Sequence, residues 1–184
     1  MTHRLIAACL VLLAVAVPGT RAATPTPAPT LLRASLIVAD ADRSIAFYAL
    51  LGFRVETDMG TTPRRVEGNP FPLNAPATRS RLVILQSATG AGGRIGLVQF
   101  SEPQPPQPRP PSRTVGRGDP VLVFDIADAD GVHAALRAAG ADINEPPQSY
   151  VSARRGPDGQ PLRGKVFHVW DPDGYLIELL EAAR

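Results

Sequence analysis

Val38-Ala39-Asp40-Ala41-Asp42 returns 88 residues later as Ile126-Ala127-Asp128-Ala129-Asp130, and this recurrence decides how the chain is read. The same offset aligns Ala46 with Ala134 and Gly52 with Gly140. Each copy reads as a strand, an Asp cap, a helix and a glycine stop. Asp40 and Asp128 suit the N-cap because a short carboxylate can accept the free amide protons of a first helical turn. Gly52 and Gly140 suit the left-handed residue that ends a helix. In the second copy Val132, Ala135, Leu136 and Ala139 follow the i, i+3, i+4, i+7 rhythm of a helix face packed on a sheet.

The copies also close alike. Ile95-Gly96-Leu97-Val98 lies 82 residues before Ile177-Glu178-Leu179-Leu180. Between helix and closing strand stand further strand-like runs, Phe53–Asp58 and Arg81–Ser87 in one half, Ile143–Val151 and Lys165–Trp170 in the other. Each half therefore reads βαβββ. The predicted class is α+β, with two such modules placing a cupped, mostly antiparallel sheet in front of helices on its convex back. Residues 32–100 form the first module and 119–184 the second. Residues 101–118 link them through Glu102–Pro111 (EPQPPQPRPP), which can join neither ladder nor helix. Residues 24–31 are a Pro-rich spacer opening with TPTPAPT.

The chain of 184 residues has 19 Lys and Arg against 17 Asp and Glu, a formal charge of +2. Arg4 and Arg21 supply that surplus, and residues 1–23 contain no acid. Leu5–Val17 is an uncharged apolar run, shorter than the roughly 20 residues of a spanning helix. Pro18 and Gly19 break it, and Thr20-Arg21-Ala22-Ala23 offers small residues for cleavage. The layout predicts a secretory signal peptide over 1–23, cut after Ala22 or Ala23. Export to a periplasm or beyond is expected, with no membrane attachment after cleavage. All but one of the basic residues are Arg, a usage that fits a high-GC bacterium. The apolar stretch before Cys9 is too short for a lipoprotein box. Once Cys9 leaves with the signal, the remaining chain has no thiol for a disulfide, a nucleophile or a metal. It is also formally neutral, so no nucleic-acid partner is expected. With 44% hydrophobic and 20% charged residues, it is an ordinary globular composition.

VADADRSIAFYALLGFRV and DPDGYLIELLE resemble the two signature segments of the vicinal oxygen chelate superfamily. That family includes glyoxalase I, extradiol dioxygenases, bleomycin-binding resistance proteins and fosfomycin-modifying enzymes. The resemblance spans about 150 residues and implies the cupped fold described above. It also implies a divalent metal in the cup, held by a residue, usually His, on the first strand of each half and a carboxylate or Gln on each closing strand. In this sequence those four positions are Arg33, Val121, Gly96 and Glu178. Only Glu178 is a metal ligand by chemistry; Arg33 is permanently cationic and would repel the ion. No cofactor is therefore expected.

Asp171-Pro172-Asp173-Gly174 reads as a type I turn with a bulge, which pairs Asp171 with Tyr175 and places His168 opposite Glu178. Cross-strand partners share a face, so His168 is expected in the cup, beside a buried and ionised Glu178. Three readings stay open. Arg33, His168 and Glu178 could bind a small, possibly anionic, organic ligand. Glu178 and His168 could serve as catalytic proton-transfer residues of a lyase, isomerase or dioxygenase-like enzyme, or Glu178 could belong to an atypical metal site. Or the three could form a satisfied polar cluster in a domain whose work is assembly. Gln86, lying 82 residues before His168, and Trp170, with the parity of His168, are further candidate ligand contacts. His133 reads as a half-exposed residue beside the helix stripe. Arg64-Arg65 and Arg154-Arg155 fall in two equivalent loops, Met59–Ser80 and Ser152–Gly164. Gly90–Gly96 (GAGGRIG) precedes a strand, not a helix, and so fails as a phosphate loop. A homodimer is compatible with this layout, since family members pair their modules within or between chains. N-terminal sequencing of protein recovered after secretion is expected to begin at Ala23 or Thr24; a start at Met1 would remove the export reading.

Overall fold

Asp40 and Asp128 open the two helices as their side chains require. In the computed structural model, which describes residues 28–64, 71–73, 76–90, 92–106 and 114–182, Asp40 Oδ1 accepts from the amides of Asp42 at 2.9 Å and Arg43 at 3.1 Å. Asp128 Oδ1 accepts from Gly131 N at 2.9 Å. Gly52 and Gly140 end the helices with φ of 81° and 74°, a left-handed geometry that costs glycine little. The signal segment, the first part of the spacer, Arg65, Ala91 and the centre of the inter-module linker lie outside the described residues.

The first module runs β1 (Arg33–Val38), α1 (Ala41–Leu50), β2 (Phe53–Pro63), β3 (Arg79–Ser87) and β4 (Arg94–Ser101). The second runs β5 (Val121–Ile126), α2 (Ala129–Ala138), β6 (Asp142–Ile143), β7 (Gln148–Arg155), β8 (Pro161–Trp170) and β9 (Leu176–Glu181). The sheets are ordered β1-β4-β3-β2 and β5-β9-β8-β6, with β7 also pairing β8. First and closing strands pair in parallel, and the other neighbours are antiparallel. This is the βαβββ repeat that the sequence implies.

Three elements differ from the sequence reading. The Ile143–Val151 run is two strands, because Pro146 and Pro147 lack the amide protons a ladder needs. The long loops shrink, since β2 continues to Pro63 and β7 to Arg155, so Arg154 and Arg155 stand in a strand. In α2 the inward stripe is the buried Ala129 and Leu136 with the half-buried Val132 and His133, while Ala135 and Ala139 are exposed. His133 meets the Phe167 ring edge-on at 5.5 Å, so the imidazole packs against the sheet. The apolar rhythm is right and its phase is shifted by one face position.

One apolar core serves both modules. Leu36, Val38, Phe47, Tyr48, Leu85 and Leu97 pack in the same cluster as Leu136, Phe167, Val169, Ile177 and Leu179. Tyr48 and Phe53 also meet Phe124 across the module boundary, at 6.5 and 5.2 Å between ring centres. These side chains alternate with residues on the opposite, cup face: Arg33, Ser35 and Ile37 on β1, and Glu178 on β9.

The β8–β9 turn locks the modules together. Asp171 Oδ1 accepts from the amides of Asp173 at 2.9 Å and Tyr175 at 2.8 Å, and Oδ2 accepts from the Tyr48 hydroxyl at 3.0 Å. Asp173 accepts from Ala39 N, the Ser44 hydroxyl and Arg43. The Tyr175 hydroxyl bridges Ile37 N and Ile37 O, both at 3.2 Å, along the outer edge of β1. Burial drives the Asp171 carboxyl up from 3.8 to about 6, against the lowering effect of its three donors. Burial and the adjacent Asp171 raise Tyr48 far above the phenol range, so it remains a donor.

Since Asp171 titrates higher in the fold than in an unfolded chain, its contribution to stability is complete below pH of about 4 and declines as pH rises through about 6. The full span is worth roughly 3 kcal/mol. Glu56 and Asp58, whose carboxyls are lowered by hydrogen bonds from Arg94 and Arg81, work in the opposite sense. Thermal melts of wild type and Asp171→Asn across this range are expected to diverge by that dependence. Parallel curves would show that Asp171 does not titrate as described. Tyr48→Phe is expected to lose about 1–3 kcal/mol at neutral pH, measured by urea unfolding, because it strips a donor from a buried carboxylate.

Candidate functional site

The cup face of β1 is built around a missing side chain. Gly96 stands opposite Ser35 in the β1–β4 register, and Arg33 lies two residues before Ser35 on the same face. A β-carbon at position 96 would stand 2.9 Å from Ser35 Oγ and 3.1 Å from both Cδ and Nε of Arg33. The arginine stem therefore lies across Gly96. Arg33 Nε donates to Ser35 Oγ at 3.1 Å, and Arg33 makes no ion pair among the described residues. Its register neighbour Arg94 is neutralised by Glu56, through contacts of 2.6 and 2.8 Å. Arg54, opposite Gln86 on β2 at the other edge of the sheet, is exposed and also makes no ion pair among the described residues, so Arg33 is the uncompensated guanidinium beside Gly96 and not the sole one on this face.

The far end of the same face is covered by the chain itself. Leu73 and Ala77 pack with Val98, Phe100 and Leu82, and Phe71 meets the Phe100 ring at 5.6 Å. Arg64 donates to Phe71 O at 3.0 Å and sits 5.6 Å over the Phe100 ring. Arg64 thus pins this cover and is not a loose loop cation.

In the second module His168 stands opposite Glu178, the register that the turn reading implies, with Nε2 3.3 Å from Glu178 Oε2. The ring's other nitrogen, Nδ1, lies 3.6 Å from Glu145 Oε1. Glu145 has no signal in the sequence: it follows the unforeseen end of β6 and precedes the two prolines. The cluster is also more open than the burial expected for Glu178. The side chains of His168, Glu178 and Glu145 are 26%, 32% and 45% exposed, so water and small solutes reach them. Val123 is the β5 residue opposite Glu178, and it is 55% exposed. Val121, two residues earlier, is 41% exposed, giving an accessible apolar strip beside the pair.

No hydrogen bond or ion pair among the described residues joins Arg33 to His168 or Glu178; the structure presents two polar groups, one per module. Gln86 does not occupy the counterpart of His168. Its partner is Arg94, and the residue opposite Gly96 is Ile84. The 82-residue offset fails there because the β3–β4 hairpin is two residues longer than the β8–β9 hairpin. Gln86 instead donates to Gly90 O at 3.2 Å. Trp170 is 8% exposed, and its Nε1 has no hydrogen-bond partner among the described residues. It borders a groove of about 730 Å³ lined also by Arg43, Phe47 and Leu50 of α1 and by Ala139 to Asp142. That groove lies on the helix side.

The donor set does not fit the divalent metal implied by the sequence resemblance. Arg33, Gly96 and Val121 offer no lone pair to an ion, and a fixed positive charge lies across one of the four positions. Glu145 and Glu178 do not rescue the site: they approach opposite nitrogens of one imidazole and so flank the ring without converging. Among the described residues no group of three His, Cys, Asp or Glu side chains is arranged to hold a metal ion.

No curated protein matches the chain. Solved structures do. A glyoxalase family protein from Bacillus cereus is 19% identical, with 87% of this chain and 100% of that one covered and a TM-score of 0.66. The trypanothione-dependent glyoxalase I of Leishmania major is 21% identical, with 84% and 87% covered and a TM-score of 0.52. At these identities the likeness concerns the fold. The family model of the Glyoxalase/Bleomycin resistance protein/Dioxygenase superfamily matches residues 30–179, most of the chain and both βαβββ modules, and the chain belongs to that superfamily.

Proposed function

We propose that the chain is an exported member of its superfamily that binds a small organic anion on the cup face without the family metal. The observation that carries this reading is the Arg33 guanidinium lying across Gly96, with no acidic partner among the described residues. A permanent cation in that place attracts what a divalent metal would attract, an electron-rich oxygen. His168 and Glu178 supply polar contacts on the other module, and the exposed Val121 and Val123 supply apolar area for the ligand's body. The formally neutral composition after residue 23 supports a small ligand over a nucleic acid.

The His168–Glu178 contact also favours a second reading, an enzyme that moves a proton between substrate and this pair. A solvent-accessible imidazole hydrogen-bonded to a carboxylate places a proton-carrying pair where a substrate can reach it. The two readings part on turnover.

Ligand captured from native protein by mass spectrometry is expected to stay bound in chelator, and Arg33→Ala is expected to weaken it about tenfold or more. Near-stoichiometric metal that disappears in Glu178→Ala would overturn the metal-free reading. Turnover that collapses in Glu178→Gln with the melting temperature unchanged would move the assignment to the enzyme.

A further inference from the structure

We infer that Gly96 and Ser35 are positioning residues that turn Arg33 into a carboxylate seat, so that the ligand class of this face is a planar monocarboxylate. The inference rests on the binding reading above and specifies its chemistry.

Gly96 is buried although it has no side chain, because the Arg33 stem occupies the volume where a β-carbon would project. Any larger residue at 96 must displace Cδ and Nε of Arg33, each 3.1 Å from that point. Ser35 then fixes the rotation. Its Oγ accepts from Nε at 3.1 Å, which uses one of the five guanidinium protons and sets the plane of the group. The four protons on Nη1 and Nη2 remain, and the outer pair forms a fork that matches the two oxygens of a carboxylate.

The surroundings select the same class. Arg94 adds no net charge because Glu56 neutralises it, and Arg54 of the same row stands three strands away on β2, so the charge at the seat itself is that of one cation. One cation balances a monoanion and leaves a dianion undercompensated. Ile84, the cross-strand partner of Gly96, offers an apolar flank for the ligand's body. The remaining cup face toward Val98 and Phe100 is closed by Leu73 and Ala77, which limits the ligand to a compact one.

The test uses the mature chain, ¹⁵N-labelled arginine and histidine side chains, and benzoate as the probe, with benzamide as its neutral counterpart and chelator throughout. The Arg33 Nε–H resonance reports the seat directly and is expected to exchange slowly with water in the wild type. Benzoate is expected to shift it saturably, and benzamide to bind at least about tenfold more weakly. Gly96→Ala and Ser35→Ala are each expected to broaden that resonance and weaken benzoate about tenfold, with melting temperatures near wild type, while Ser35→Thr restores both. Two results overturn the inference: an unchanged Nε–H signal and benzoate affinity in both alanine variants, or benzamide binding as tightly as benzoate. The first leaves the cup an anion-binding site and the wider proposal standing; the second also removes the preference for an anion. Absence of any shift at Arg33 or His168 with either compound removes both.

Discussion

The geometry of the molecule depends on one buried carboxylate. Asp171 ties its own turn through two backbone amides and holds the Tyr48 hydroxyl of the other module. The first task sets the β8–β9 register, and the register sets His168 against Glu178. The second fixes where the turn lies against α1, so that Asp173 and Tyr175 reach the end of β1. A carboxylate in an apolar core is costly to keep ionised, and here three donors offset part of that cost. Both polar groups of the cup face thus hang on strands whose placement this turn governs.

Much of this is legible in the sequence because its signals are local. An Asp before an apolar rhythm and a Gly after it mark a helix wherever they occur, and the doubled pattern reveals both modules. The DPDG turn encodes a pairing register within a few residues, so His168 and Glu178 can be matched by counting. What cannot be counted is longer in range. Gln86 is misplaced by the two extra residues of one hairpin, a length difference that a constant offset hides. Ser35 reads as an ordinary strand residue until Arg33 is seen to bend back over Gly96. Glu145 arrives at His168 only because the prolines at 146 and 147 break a strand that periodicity draws as continuous. The phase of α2 eludes the pattern because alanine is equally at home on either side of a helix.

The two modules share a topology and have divided its uses. In the first, Phe71, Leu73 and Ala77 cover part of the cup face, Arg64 pins that cover, and a cation occupies what is left. In the second, the corresponding face is open, acidic around one imidazole, and flanked by exposed valines. Membership of the superfamily explains the frame that both inherit. It does not explain the chemistry, which depends on which side chains stand at a few positions of that frame.

A metal ion occupies its site by mass action, and its occupancy rises and falls with its concentration outside the protein. The guanidinium across Gly96 obeys no such law. It has no dissociation constant and cannot be competed away by another ion, because it is bonded into the chain. A positive centre made this way is present in every copy of the chain from the moment it folds.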